Sequence, residues 1–538
     1  MRETNTRGEG LRNLVVLAIV VVALGLALAP RFLEGNETRE GRVARLDLAA
    51  EPMPFPPPLI EPLNSLPGAP PLAESSAYTL DLQRAFFAGD FARLDAALMA
   101  AREDYLSGRS TRNLAKAVVD SITDTKLAGI DRCDAWLQAM PNAYSAHWLC
   151  GTVWRSGAWA ARGSGFGHTV GAARFALMEE RLERSNALLA RAIELTPKPV
   201  EALTLLADNY FVAQRLEEAE ALLQRAENLL PTHAGIHWTR LNYAQPQWWG
   251  SDKAVQAALA RARQAGVGES ALLDMEDYYV ARPWKLSTPG AERAYWERAI
   301  SKHPTRDRLT GLLHNFVRLE NWHDALPVAN RLIDEYPDDG NAYYRRAQIH
   351  QALGQIEAAR EDYRMAAAMG HEYSLQELIM AHIRGGLGLP KSFTQAAEFC
   401  RYGAALGSSV GANCLGASFF EGGRDGMPFQ KDVPQALAWH LLGARAGHYN
   451  SQYDLGWLLY TGRGAGVDAE AAKRYGIFWL RRAAEQNHQY AKRKLEELGI
   501  SPSEGLADRL PGGWNLDALF DRVFGWVESV RERLNLRL

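Results

Sequence analysis

The feature that most constrains this chain is a repeat whose type changes partway along. Prolines close apolar, helix-like stretches at Pro197 and Pro231, 34 residues apart, and at Pro304 and Pro337, 33 apart. Further on, a small-x-x-Gly/Asn ending recurs at Gly370, Gly407, Gly447 and Asn487, with gaps of 37, 40 and 40. Periods of this length mean stacked supersecondary units, each too small to bury its own apolar face. Alternating β-branched runs are scarce, so no sheet is expected. The expected fold is all-α: a right-handed α-solenoid of helix-turn-helix repeats with an N-terminal transmembrane helix. Such arrays usually bind along an extended face, which points to a binding scaffold.

The transmembrane expectation rests on Leu14 to Ala29, LVVLAIVVVALGLALA, an unbroken apolar run. As a helix it spans roughly 24 Å, against about 30 Å for a bilayer core. Arg12 and Arg31 can snorkel at its two ends. Ala27-Leu28-Ala29 resembles a cleavage motif, but Pro30 follows it directly, which favours an uncleaved anchor over a removed signal. Arginines lie on both sides of the run, so the positive-inside rule barely orients it. A cytoplasmic amino terminus places the body outside: a single-pass inner-membrane protein with a periplasmic body. The alternative is a body on the cytoplasmic face.

The chain then divides into a cytoplasmic tail (1–12), an anchor (13–30) and a proline-rich linker (31–76). Pro52 to Pro71 reads PMPFPPPLIEPLNSLPGAPP, which cannot form a packed core and favours extended, polyproline-like structure. Degenerate helical repeats fill 77–199, the 33–34-residue period 200–372, and the longer period 373–499. A loop and a C-terminal amphipathic helix occupy 500–538. In that helix Leu516, Leu519, Phe520, Val523, Val527, Val530 and Leu534 mark one apolar face, suited to capping the last repeat.

Charged residues are 23% of the chain and the formal net charge is -3. That balance gives no electrostatic reason to expect nucleic acid, which calls for a strongly basic face. Cys133 and Cys150 flank Pro141, and Cys400 and Cys414 flank Gly407, each almost symmetrically. Antiparallel helices joined at those turns would bring each pair to equal height, where a disulfide fits. Buried free cysteine is the alternative reading.

No local string carries convincing chemistry. There is no C-x-x-C or H-E-x-x-H, and His233 with His237 lacks an evident third ligand, so no metal is expected. The run Arg162-Gly163-Ser164-Gly165-Phe166-Gly167-His168 has no strand before it and no P-loop lysine, and reads as a connector between helices. Glu179-Glu180 and Glu217-Glu218 are adjacent on helices and mark solvated faces. Trp248-Trp249 beside Pro246 could stack a sugar or peptide, though tryptophan at a helix junction is more often core. No catalytic residue and no cofactor is expected, and the protein reads as a non-enzyme.

The order Leu203, Leu206, Ala207, Tyr210, then Ala219, Leu223, Ala226 and Pro231 resembles the tetratricopeptide repeat. Arg306 to Pro337 (Leu309, Leu312, Phe316, Ala325, Leu332) and Gly340 to Gly370 (Tyr343, Ala347, Ala359, Tyr363, Ala366) follow the same order. From Tyr373 the unit lengthens. Leu415-Gly416, Phe419 and Gly422 recur as Leu455-Gly456, Leu459 and Gly462, which resembles the Sel-like repeat over about 120 residues. The first copy departs, with Leu378-Ile379 in place of Leu-Gly. The stretch from about Ala77 to Ala281 resembles an uncharacterised bacterial helical family, through Trp136-Leu137, Ala158 to Gly163 and Pro246 to Ser251.

The tetratricopeptide resemblance implies a groove lined by first-helix residues lying between the packing positions. These are Thr204, Asp208 and Phe211 in the first unit, Thr310, His314 and Val317 in the next, and Tyr344, Gln348 and Gln351 in the third. The expected partner is a protein or peptide, with the membrane reached through the anchor. The expected function is a membrane-anchored scaffold for protein–protein interactions in the bacterial cell envelope. An envelope hydrolase or lyase, or a glycan-recognition module, with its site in the N-terminal helical half, is the alternative.

Overall fold

The computed structural model describes residues 49–50, 66, 71–110, 112–163, 170, 172–248, 250–280, 286, 288–422, 428–463 and 469–501. The chain divides after Glu51, and the unit that begins at Pro52 holds all the described helices. Among the described residues there are 23 α-helices and no strand, only an isolated bridge between Gly386 and Leu389. The apolar run Leu14–Ala29 and the helix expected around Leu516–Leu534 lie outside the described residues. Among the described residues no helix is long and apolar enough to cross a membrane.

The first six helices are α1 (Glu74–Ala88), α2 (Phe91–Leu106), α3 (Leu114–Thr123), α4 (Ile130–Ala139), α5 (Tyr144–Arg162) and α6 (Ala172–Glu194). Antiparallel pairs come next, among them α7 (Val200–Val212) with α8 (Leu216–Leu229). Then come α9 (Ala234–Tyr243), α10 (Asp252–Gln264), α11 (Glu269–Val280) and α12 (Pro289–Lys302). The next pairs are α13 (Arg306–Arg318) with α14 (Trp322–Glu335) and α15 (Gly340–Ala352) with α16 (Ile356–Ala368). The longer units are α17 (Glu372–Arg384) with α18 (Phe393–Ala405), α19 (Ser409–Glu421) with α20 (Val433–Arg445), and α21 (Tyr449–Tyr460) with α22 (Ala469–Glu485). The last described helix is α23 (Gln489–Glu497).

The repeat positions explain why these segments pair. Leu203, Leu206 and Ala207 of α7 and Ala219, Leu223 and Ala226 of α8 are all buried, as are Leu309, Leu312, Phe316, Ala325 and Leu332 in α13 and α14. Each such leucine contributes about 1.5–3 kcal/mol by leaving water. Alanine at the crossings sets the helices close together. In the longer units the glycine after leucine serves the same end more strictly. A Cβ on Gly456 would lie 2.9 Å from the carbonyl oxygen of Gly476, and one on Gly476 would lie 2.7 Å from that of Gly456. Side-chain caps start the helices: Thr305 accepts from the Arg308 amide, and Asp339 from those of Asn341 and Ala342. A cap of this kind contributes about 1 kcal/mol. From α17 on, histidine caps three of the helices, with Nδ1 of His371, His448 and His488 accepting from Ser374, Ser451 and Ala491, while Ser408 caps α19. Burial holds His371 and His448 down to about 4, so each ring is neutral at pH 7 and free to accept.

Cys133 on α4 is bonded to Cys150 on α5, with Cα atoms 5.5 Å apart. Cys400 on α18 is bonded to Cys414 on α19, at 5.7 Å. Each bridge ties two successive helices across their connecting turn. Mass spectrometry of unreduced peptides from protein taken from its native compartment is expected to recover both links. Four free thiols there would remove the oxidised state and, with it, the main chemical support for an exported body.

The amino-terminal helices do more than precede the array. They return along the row of turns that joins one later unit to the next, and from Leu80 to Arg174 they meet successive turns, with Arg112 reaching back to Asp338. Ser75 donates to Asp338 at 2.9 Å, and Arg112 pairs with the same carboxylate at 3.1 Å. Leu80 lies against Gly370. Buried Gln83 donates to the Leu406 carbonyl at 2.7 Å, and Phe87 covers Gly407. Asp131 takes Arg445 at 2.7 Å, Lys126 covers Gly447, and Arg174 reaches Glu485 at 3.4 Å. Gly370, Gly407 and Gly447 are the residues whose spacing defines the longer repeat, so the turns that punctuate the array are also its docking surface for α1 to α6. A second clamp joins α2 to α7. Buried Arg102 holds buried Glu201 through Nε at 3.0 and 3.1 Å and Nη2 at 2.9 Å, while the Tyr144 hydroxyl donates to the same carboxylate at 2.9 Å.

Candidate functional site: a groove recess and its aromatic wall

The three sets of groove residues have different fates. In the first unit they are consumed by packing, contrary to the expectation of an open face. Thr204 is buried and donates to the Val200 carbonyl at 2.8 Å. Asp208 pairs with Arg155 of α5, and Phe211 stacks on Tyr243 with ring centres 4.4 Å apart. The physical reason is that α5 brings Arg155 to Asp208 from one side, while Tyr243 of α9 covers Phe211 from the other. Asp208, which would mark a groove elsewhere, here pairs with the half-buried guanidinium of Arg155.

The second and third units keep the face open. His314 and Gln351 are exposed, and Thr310, Val317, Tyr344 and Gln348 are half-buried. Between α13 and α15 the chain forms a small, shallow recess. Thr310, His314, Asn341 and Arg345 supply its polar rim, over Leu313, Leu332 and Ala342. Asp339 lines it too, but its oxygens are engaged by two backbone amides and by Arg306 at 2.7 Å. Arg345 bonds the Gln348 amide oxygen at 3.1 Å and sits 5.5 Å from the Tyr344 ring centre. Among the described residues it has no carboxylate partner. His314 is pushed down by burial and then by the charges of Arg345 and Arg318, so it presents a neutral ring beside a cation. The recess therefore offers a guanidinium, an imidazole and an amide to one ligand group, a set suited to a carboxylate or to peptide carbonyls.

Beyond the recess stands an aromatic wall. Tyr344 lies 4.4 Å from His371, 5.9 Å from Tyr373 and 6.1 Å from Tyr363, centre to centre. Gln348 donates to the Tyr344 hydroxyl, and Tyr363 to Gln351, both at 2.9 Å. Tyr373 is 64% exposed. The first-helix rule misses Arg345 and Tyr373. Arg345 is legible in the sequence, because Asn341, Ala342, Gln348 and Ile349, its neighbours one turn away, include no acid. Tyr373 sits just past a turn, where that rule does not look.

Among the described residues, the other candidate strings do not come together as a site. His237 is buried and its Nε2 meets the Pro231 carbonyl at 2.8 Å, while His233 is buried beside Tyr105. Among the described residues no His, Cys, Asp and Glu group is arranged to hold a metal. Arg162 ends α5, and 164–168 of the glycine-rich run lie outside the described residues, as does Trp249. Trp248 packs near Tyr243 at 5.8 Å.

A family described as a domain of unknown function (DUF4034) matches residues 79–225. In their periodic turns and leucine–glycine crossings the units from Val200 resemble tetratricopeptide repeats, and those from Glu372 resemble Sel-like repeats. It is 26% identical over 171 residues to the chitin synthase regulator SKT5 of Saccharomyces cerevisiae, covering 32% of this chain and 24% of that protein. Among solved structures, c5321, a protective antigen of uropathogenic Escherichia coli with an SLR fold, is 14% identical. It covers 76% of this chain and 81% of its own, with a TM-score of 0.35. A Sel1 repeat protein from Oxalobacter formigenes is 18% identical, covering 47% of this chain and 96% of its own, with a TM-score of 0.31.

Proposed function

We propose that this protein is a non-enzymatic scaffold that holds a peptide segment of a partner protein in the groove of α13 and α15. The observation that carries the reading is the recess in which Thr310 and His314 meet Asn341 and Arg345, a guanidinium with no carboxylate of its own among the described residues. The partner's segment brings that carboxylate, as a chain end or an acidic side chain. The similarity to a protein named as a regulator of an enzyme is in keeping with a scaffold that acts through others. The apolar run Leu14–Ala29 and the two cysteine pairs support an anchored body on the outer side of a bacterial inner membrane.

The test is a photo-crosslinking residue in place of Thr310 in cells, with identification of what it captures. Arg345→Glu is expected to lower capture at least tenfold, because a charge-assisted hydrogen bond contributes about 1.5–3 kcal/mol. Capture unchanged by Arg345→Glu would remove the groove reading. A phosphatase fused after Leu538, active only when exported, tests the orientation separately.

A further inference from the structure

The groove carries opposite charges at its two ends, with the aromatic wall between two unpaired groups. We propose that the partner segment has a matching order of chemistry: an acid at Arg345, a proline on Tyr344 and Tyr373, and a lysine or arginine at Glu377. This order rests on the groove reading for its acid and adds the two contacts beyond the recess.

The charges come first. Arg345 lines the recess toward α13, while Tyr373 and Glu377 belong to α17. Glu377 is exposed and stands four residues after Tyr373, one turn along, so the two share a face. The Tyr344 hydroxyl senses both ends. Burial raises it most, the Arg345 charge pulls it down, and the Glu377 charge pushes it up. Glu377 also raises Tyr363, after burial. Among the described residues neither Arg345 nor Glu377 has an ion pair. A ligand bearing only an acid would satisfy one end and leave the other open; a ligand bearing both charges satisfies the two together.

The wall supplies the middle of the order. Arg345 donates to Oε1 of Gln348 at 3.1 Å, and Nε2 of Gln348 donates to the Tyr344 hydroxyl at 2.9 Å. The hydroxyl is an acceptor in that relay, so its own proton is left for a ligand. Tyr363 donates to Oε1 of exposed Gln351 at 2.9 Å, which leaves the N–H groups of that amide. These donors suit backbone carbonyls, and a proline stretch presents carbonyls that no amide of its own takes up. Proline rings dock on aromatic-lined grooves. The Tyr344 and Tyr373 rings are inclined by 27° and Tyr373 is 64% exposed, which suits a flat pyrrolidine ring.

Distances set the spacing. The guanidinium, the Tyr344 ring and the Tyr373 ring follow one another at 5.5 and 5.9 Å. A polyproline-type chain advances about 3.1 Å per residue, which puts the proline about two to four residues from the acid. One helical turn, about 5.4 Å, separates Tyr373 from Glu377, which puts the base about two residues further on.

The experiment measures fluorescence anisotropy of the labelled peptide Lys-Gly-Pro-Pro-Ser-Gly-Asp, and of the same residues in reverse order, with the purified full chain. One of the two is expected to bind. Glutamate in place of its lysine is expected to weaken binding at least tenfold, and Glu377→Lys to reverse that preference. Alanine in place of both prolines is expected to weaken binding at least fivefold, and Tyr373→Ala to abolish that difference. Both protein variants change exposed residues and are expected to melt like the parent. Equal binding of the lysine and glutamate peptides, a lysine preference that survives Glu377→Lys, an alanine peptide that binds as well as the proline one, or no binding in either order would each overturn the proposal. The groove reading is judged apart from these outcomes, by Arg345→Glu in the capture at Thr310, which requires no particular sequence in the partner.

Discussion

Arg102→Met is expected to lower the unfolding free energy by about 3–5 kcal/mol, the cost of leaving a buried carboxylate without its cation. Arg102 and Glu201 are 4% and 5% exposed, and two guanidinium nitrogens hold the carboxylate. Methionine keeps most of the side-chain volume, so packing changes little and the charge is what is lost. Tyr144 cannot replace the cation. Burial and the Glu201 charge together raise its hydroxyl well above the ordinary tyrosine range, so it donates one hydrogen bond and carries no charge. Removing both charges, as Arg102→Met with Glu201→Leu, is expected to recover most of the loss, since the unpaired charge is then gone. Denaturant melts of the parent, both single variants and the double variant read this directly. A single-variant cost under about 1 kcal/mol, in the range of exposed pairs, would mean that water reaches the clamp.

Gly407→Ala is expected to cost roughly 2–5 kcal/mol, from two sources that can be separated. Gly407 has φ of +71°, where a Cβ is strained by about 1–2 kcal/mol. The added Cβ would also lie 2.1 Å from the Phe87 ring, and overpacking of that kind costs about 1–3 kcal/mol. In a Phe87→Ala background the steric part disappears and the backbone part remains. The cycle is therefore expected to be non-additive by at least about 1 kcal/mol, as befits residues in contact. Strict additivity would show that α1 does not rest on this turn in solution.

The parts of the fold legible in the sequence are those set by neighbours within one unit. Leu203, Leu309 and Leu415 lie where the repeat period puts them, because each buries its side chain against the next helix of its own unit. Gly462, with φ of +73° and open space around it, follows its helix for a reason internal to a single turn. The return of α1 to α6 along the later turns left no such mark. Gln83 bonding Leu406, or Asp131 bonding Arg445, joins residues more than 300 positions apart, and nothing periodic records which polar residue will meet which turn. The groove obeys the same division. Thr310, His314, Tyr344 and Gln348 are placed by position within their units and do face an open surface. Thr204, Asp208 and Phe211 occupy equivalent positions, yet Thr204 is buried, Arg155 of α5 takes Asp208, and Tyr243 of α9 covers Phe211. Position within a repeat predicts the face a side chain takes, and a non-local contact decides whether that face is vacant.

Open helical arrays tolerate the gain or loss of a unit, because each unit answers only to the ones beside it. Here Asp338, Gly370, Gly407, Gly447 and Glu485 each meet an assigned residue of the amino-terminal layer, in sequence from Ser75 to Arg174. Deleting one of the longer units would shift every later turn onto the wrong partner. The amino-terminal layer thus acts as a ruler, and the number of units in this protein is a fixed quantity, measured against a template that the chain itself supplies.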